Sequence, residues 1–402
     1  MPDLGSTFMG IYFKTPFILA SGQASLRAGH IKHAAEAMVE NHWAGFVSKS
    51  IISEVHSQQR PYLWGSADYR FLSMQNMGPT MDKYSNSLLN LLKEDFRISK
   101  QAGLICIASI IGYSMDEWIE MAKNMEDVGA DALELNLSCP VRDKTVKGSM
   151  GGCTVLEDTQ KTYEIVNAVS KNCSIPVMVK LSFHVRDIAE VAKVCKEAGA
   201  DAVSAINTIR GIVGIDIDTG NLLSSDASGN GYITGLSGPV IRPFALKCVI
   251  EIGLTSDVPV CAIGGIENWK NIVELLMAGA GLTQTCTSVM WHGFGLGKKL
   301  RDGLTQFMKD KGYTCIQDFR GISLGRVVVD SIDHPWVKAR IDRARCNLCQ
   351  KCVIACRDAA FSALHVIGSG KSAYIEVDDS ACEGCGLCKV VCKKEAISYV
   401  SQ

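Results

Sequence analysis

The stretch Ala132-Leu133-Glu134-Leu135-Asn136-Leu137-Ser138 alternates leucines with polar residues at a period of two, the side-chain repeat of a β-strand. Leu133, Leu135 and Leu137 share one face, and Glu134, Asn136 and Ser138 the other. Burying a row of polar groups is costly unless something hydrogen-bonds to it. The pattern suits a strand whose leucines meet covering helices while its polar set points inward. Seven further aliphatic or β-branched runs surround it: Phe17 to Ala20, Gly45 to Lys49, Leu104 to Ile111, Pro176 to Leu181, Ala202 to Asn207, Val258 to Ile263 and Leu282 to Ser288.

Helical patterns separate these runs. Ile188, Val191, Ala192 and Cys195 follow the spacing i, i+3, i+4, i+7, and Ser114 with Glu117 forms a capping-box signature before Trp118, Ala122 and Met125. Gly129, Gly199 and Gly279 stand where helices should end and feed the next strand. Alternating β and α of this count predicts an α/β fold, a (β/α)8 TIM barrel over residues 1–313, with an open doubly wound sheet as the weaker alternative. Barrel chemistry sits at the C-terminal strand ends, and there the unusual residues lie: Lys49, Lys180, Asn76, Asn136, Asn207, Gly264-Gly265 and Thr285-Cys286-Thr287-Ser288. Two long connections, 141–156 and 210–235, are expected to be active-site lids. Residues 314–344 read as a linker.

Beyond it, Cys346, Cys349, Cys352 and Cys356 have C-x-x-C-x-x-C-x-x-x-C spacing, repeated by Cys382, Cys385, Cys388 and Cys392. In such runs three thiolates hold one cubane and the fourth reaches the other cluster. One 4Fe-4S cluster is therefore assigned to Cys346, Cys349, Cys352 and Cys392, and a second to Cys382, Cys385, Cys388 and Cys356. Zinc is the rival, but its sites use two separated C-x-x-C knuckles. Residues 345–402 are expected to be a two-cluster ferredoxin-like α+β domain. Arg357 and Lys393 follow the fourth cysteines and are expected to raise the cluster potentials.

The other nine of the 17 cysteines are scattered, and most should be small buried hydrophobes. The 41 basic and 42 acidic side chains nearly balance, so no overall field recruits nucleic acid or an anionic membrane. The N-terminus lacks signal-peptide features, and no apolar stretch approaches ~18 residues. A cytoplasmic protein is expected.

Several strand-end motifs now call for a common ligand. Asn136-Leu137-Ser138-Cys139-Pro140, Ala205-Ile206-Asn207-Thr208, Gly235-Leu236-Ser237-Gly238 with Ile241-Arg242-Pro243, and Ile263-Gly264-Gly265-Ile266 resemble the FMN domain of the dihydropyrimidine dehydrogenases and the soluble dihydroorotate dehydrogenases. The two-cluster segment is similar to the C-terminus of the dihydropyrimidine dehydrogenases, particularly the bacterial FMN and iron-sulfur subunit type. The resemblance implies FMN contacts from Ala20, Ser21, Lys49, Asn76, Lys180, Gly238, Gly264, Gly265, Cys286 and Thr287. It implies a substrate set of Asn76, Asn136, Asn207 and Thr208, and Cys139 as general acid. Chemistry agrees. A buried lysine, Lys180 first and Lys49 second, would stabilise reduced flavin, asparagine offers donor and acceptor to a cyclic amide, and a thiol is mostly protonated at neutral pH. Cys153 is a second candidate acid, and His292 reads as structural.

The activity so implied is reduction of the 5,6 double bond of a pyrimidine, uracil or thymine to the dihydro form, with electrons relayed through the clusters. The alternatives are a dihydroorotate dehydrogenase-like enzyme, a reductase of another cyclic unsaturated amide, a non-catalytic electron-transfer subunit, and a binding barrel without flavin. In Gln75-Asn76-Met77-Gly78-Pro79, glycine replaces the glutamate of the dihydropyrimidine enzymes and resembles the dihydroorotate loop, while Val141 replaces the asparagine after Ser-Cys-Pro. The fused ferredoxin segment ranks the pyrimidine reading first. No G-x-G-x-x-G lies between a strand and a helix, so an FAD/NADH-binding partner subunit or a ferredoxin is the expected electron source, within a homo- or hetero-oligomer.

Overall fold

The computed structural model describes residues 1–22, 24, 28–52, 63–66, 68, 70–74, 85–138, 155–328 and 335–401. They form two compact units, Met1–Val327 and Val328–Gln402.

In the first unit eight parallel strands close into a barrel: β1 (Phe17–Leu19), β2 (Gly45–Val47), β3 (Ile105–Ile111), β4 (Ala132–Leu135), β5 (Val177–Leu181), β6 (Ala202–Ala205), β7 (Val260–Ile263) and β8 (Leu282–Thr285). Each pairs with its sequence neighbour, β8 pairs with β1, and a short strand Ile51–Ile52 adds to β3. All eight runs read from the sequence form strands of this barrel. Helices α1 (Ile31–Glu40), α2 (Asn86–Gln101), α3 (Met115–Asp127), α4 (Thr159–Asn172), α5 (Ile188–Glu197), α6 (Arg242–Thr255) and α7 (Trp269–Met277) alternate with them, and α8 (Thr287–His292) and α9 (Leu296–Lys311) follow β8. The caps explain the boundaries. Ser114 Oγ accepts from the Glu117 N–H at 3.3 Å, while Glu117 Oε2 accepts from the Tyr113 N–H at 2.7 Å. Past the ends of α3, α5 and α7, Gly129, Gly199 and Gly279 take the left-handed conformation.

The interior is layered. Ile18, Val47, Ile107, Ala132, Met178, Ala202, Cys261 and Leu282, one from each strand, pack with Phe8 and Phe13 of an N-terminal hairpin into an apolar floor. Leu133, Leu135 and Leu137 instead join the large core beneath the helices. Above the floor the inward positions turn polar: Ser109, Glu134, Lys180, Ser204 and Gln284 are all buried.

The connection 210–235 is not a free lid. Its ends, Ile209–Gly211 and Thr234–Ser237, pair antiparallel and continue through Leu72–Met74 to Leu63–Gly65 as a four-stranded sheet. Most of the other expected lid, 141–154, lies outside the described residues.

The expected linker 314–344 divides between the two units. Its first part is fastened to the barrel: Asp3 N–H donates to Thr314 O at 2.8 Å, Gly321 N–H to Leu276 O at 2.9 Å, and Phe319 is fully buried against Tyr313 and Phe307. Short 3₁₀ turns carry this segment, and they have no periodicity to read. Its last residues, Val337–Ile341 (β9), belong to the second unit, paired antiparallel with Ile397–Ser401 (β12). There Leu364–Ile367 (β10) pairs with Tyr374–Val377 (β11), and α10 (Lys351–Asp358) and α11 (Leu387–Val390) follow the cysteine loops. Among the described residues no helix is long and apolar enough to cross a membrane.

Candidate functional site

The C-terminal strand ends open into a cleft. Ala20, Ser21, Lys180, Asn207, Thr208, Gly238, Gly264, Gly265, Cys286 and Thr287 line it, together with Met74, Gln284 and Thr285. The fold thus collects eight of the ten expected cofactor positions and two of the four expected substrate positions in one cavity. Lys49 and Asn136 are buried and do not line it. Asn76, Cys139 and Cys153 lie outside the described residues. His292 ends the short helix α8 and is not a lining residue.

Two polar networks support the cleft. In the first, Glu134 is fully buried; its Oε1 accepts from Lys180 Nζ at 3.3 Å, and its Oε2 accepts from Ser204 Oγ at 3.0 Å and Gln284 Nε2 at 3.1 Å. In the second, the Thr208 N–H donates to Asn207 Oδ1 at 2.8 Å. A backbone N–H can only donate, so this contact fixes the orientation of the Asn207 amide. Asn207 Nδ2 then donates to Asn136 Oδ1 at 3.1 Å and Ser138 Oγ at 3.0 Å, and Asn136 Nδ2 donates to Ser50 Oγ at 2.9 Å. Ser50 Oγ in turn lies 2.8 Å from Ser109 Oγ, and Ser50, Ser109, Ser204 and Gln284 are members that sequence reading missed. Gln284 shares the inward register of β8 with Leu282 and was findable from period two; single serines carry no such signal.

The donor set fits a flavin nucleotide. Gly264 and Gly265 have φ of +133° and +70°, and a Cβ on Gly265 would sit 2.5 Å from Arg242 Cβ, so only glycine brings the backbone this close beside the cleft. Lys180 supplies a buried cation. Gln284 Oε1 and Thr285 Oγ1 are buried polar atoms without a hydrogen-bond partner among the described residues, and both residues line the cleft.

In the second unit the eight closely spaced cysteines fall into two sets of four. Cys346, Cys349, Cys352 and Cys392 line one cavity; Cys356, Cys382, Cys385 and Cys388 line another. Among the described residues no three His, Cys, Asp or Glu side chains converge on one metal ion. Four thiols around one cavity are the ligand set of a cubane cluster. The two loops share a conformation: Leu348 and Gln350 have φ of 58° and 59° where Gly384 and Gly386 have 68° and 87°. N–H groups of Ala363 and Ala396 donate to the sulfurs of Cys356 and Cys392 at 3.3 and 3.4 Å. Arg357, expected to act on a cluster, is exposed and paired with Asp358 at 2.8 Å, which offsets its charge. The buried cation here is Lys338, whose Nζ donates to Cys382 O at 2.6 Å, a residue with no sequence signal.

Comparison with known proteins agrees with this geometry. Residues 3–308 match the family model described as dihydroorotate dehydrogenase, and residues 339–399 match a 4Fe-4S dicluster domain. The NAD-dependent dihydropyrimidine dehydrogenase subunit PreA of Escherichia coli is 29% identical over 372 residues, 90% of this chain and 87% of that one. The dihydroorotate dehydrogenase B (NAD(+)) catalytic subunit of Pyrococcus horikoshii is 34% identical over 317 residues, 78% of this chain and 96% of that one. The chloroplastic dihydropyrimidine dehydrogenase (NADP(+)) of Arabidopsis thaliana is 30% identical over 342 residues, 80% and 77% of the two chains.

Proposed function

The chain belongs to the dihydroorotate dehydrogenase family, and from that premise we propose that it is an FMN-dependent reductase of the 5,6 double bond of uracil or thymine, fed through two 4Fe-4S clusters. At the coarser level it is an oxidoreductase of the CH-CH class with a 4Fe-4S domain. One observation carries the finer reading. A cleft holding a buried lysine, an oriented asparagine amide and a close-approach glycine turn occurs in the same chain as two cavities each lined by four cysteines.

Bound FMN supplies the hydride chemistry and the clusters the single-electron steps. The chain's own residues bind, orient and move a proton. Lys180 sets a positive charge against the cofactor's electron-rich edge. Gly238, Gly264, Gly265, Cys286 and Thr287 would give small side chains and backbone groups for the phosphate end, with Ala20 and Ser21 beside them, the Ala20 N–H donating to Thr285 O at 3.0 Å. Lys49, buried outside the cleft lining, and Asn76 are the remaining members of the proposed cofactor set. Both hydrogens of Asn207 Nδ2 are engaged, so Asn207 offers the remaining lone pair of Oδ1 to a ring N–H, with Thr208 beside it. Asn136 acts by holding Asn207, and Asn76 belongs to the same substrate set. Cys139 holds on its Sγ the proton required by the ring carbon next to the one that receives hydride.

A dinucleotide fold is not part of this reading, so electrons enter from an FAD/NADH-binding partner subunit or a ferredoxin, in the cytoplasm. The relative PreA is by name a subunit, which supports a partner. Dihydroorotate chemistry is the second reading, favoured by Asn76-Met77-Gly78. Cofactor content tests the proposal: anaerobically purified protein is expected to carry roughly one FMN and about eight irons per chain. Protein without flavin, or with one zinc in place of the irons, would overturn it.

A further inference from the structure

We propose that Glu134 is a positioning residue that sets the charge and orientation of the flavin-facing groups, acting through Lys180 and Gln284. This rests on the flavin reading above.

Glu134 does not line the cleft; Lys180 and Gln284 do. It projects from β4 into the polar layer directly above the apolar floor, and three neighbouring side chains from β5, β6 and β8 converge on its carboxylate. Lys180 is its one cationic partner among the described residues, with side chains 6% and 0% exposed. A buried ion pair of this kind is rarely the most stable filling for a core, because well-packed apolar residues avoid the desolvation cost. Stability alone therefore does not account for a charged pair at the base of the cleft.

The geometry gives the pair two effects. First, Glu134 offsets the Lys180 charge from below, so the net field reaching the cleft is that of a dipole rather than a bare cation. Second, its Oε2 is purely an acceptor and takes the Nε2 group of Gln284, which leaves Gln284 Oε1 as the unpartnered acceptor of a cleft-lining side chain. The pyrimidine rim of a flavin has an N–H between two carbonyls, and needs an acceptor beside a cation. Glu134 arranges both without touching the ligand.

The test is Glu134→Gln in the full-length holoprotein, read by anaerobic redox titration of the flavin and by FMN affinity. The variant keeps the shape and loses the charge. The uncompensated Lys180 is expected to stabilise reduced flavin at least tenfold, an upward shift of about 30 mV for a two-electron couple. The new amide competes for the Gln284 orientation, so FMN binding should weaken in the same variant, and Glu134→Asp should restore the potential toward wild type. If Glu134→Gln does not fold, Ser204→Ala serves: removing one carboxylate donor strengthens the hold on Lys180 and is expected to shift the potential downward. Flavin bound normally with an unmoved midpoint in these variants, whatever the loss of thermal stability, would overturn the inference. Wild-type protein that binds no FMN would instead overturn the flavin reading on which it rests.

Discussion

Asn207 donates from Nδ2 to Asn136 Oδ1 at 3.1 Å, tying the end of β6 to the end of β4 on the two sides of β5. Asn207 is therefore held before any ligand arrives. Asn207→Ala should lower kcat/KM for the pyrimidine by one to two decades, since a lost polar contact costs ~1 to 3 kcal/mol. FMN content should stay near wild type. Asn136→Ala should cost less, because Ser138 Oγ still accepts from Asn207 at 3.0 Å. Steady-state kinetics with flavin quantitation checks both, and equal, small effects would remove Asn207 from the substrate set.

Cys139→Ala is expected to keep FMN and both clusters but lose most turnover, because proton delivery is removed while hydride donation remains. Cys139→Ser should be nearly as slow, since a hydroxyl is the weaker acid. Normal turnover in Cys139→Ala together with a dead Cys153→Ala would move the acid to Cys153.

The remaining thiols divide by environment. Burial pushes Cys195 and Cys248 up to about 12, and also raises Cys106 and Cys261. A raised value means the thiolate is scarce below it, so these four should resist iodoacetamide at pH 8 in the native protein. Cys286 is half-buried and lines the cleft. It should alkylate in flavin-free protein and be protected by added FMN, as peptide mass spectrometry would read. Labelling of Cys286 that FMN leaves unchanged would place the cofactor elsewhere.

Much of this is legible in the sequence where a pattern repeats. The leucines of β4 announce a helix-covered face, and the doubled cysteine spacing announces two cavities, because both are local periodicities that survive any tertiary context. The boundary at Val327 is not legible, since Phe319 is anchored by contacts with residues such as Phe307 and Tyr313 while its own turn has no period. Glu134 reads as an inward polar residue, but its partners Ser204 and Gln284 lie 70 and 150 residues away, and only barrel closure brings them together. Lys338 reads as one surface charge among many, and burial beside Cys382 is what distinguishes it.

The central claim concerns the substrate, and anaerobic flavin reoxidation tests it most directly. The purified holoprotein is photoreduced, then mixed with uracil, thymine, orotate or non-pyrimidine enamides while flavin absorbance is followed. Fast reoxidation by uracil or thymine is expected. Reoxidation by orotate alone, or silence toward all three pyrimidines, would contradict the account.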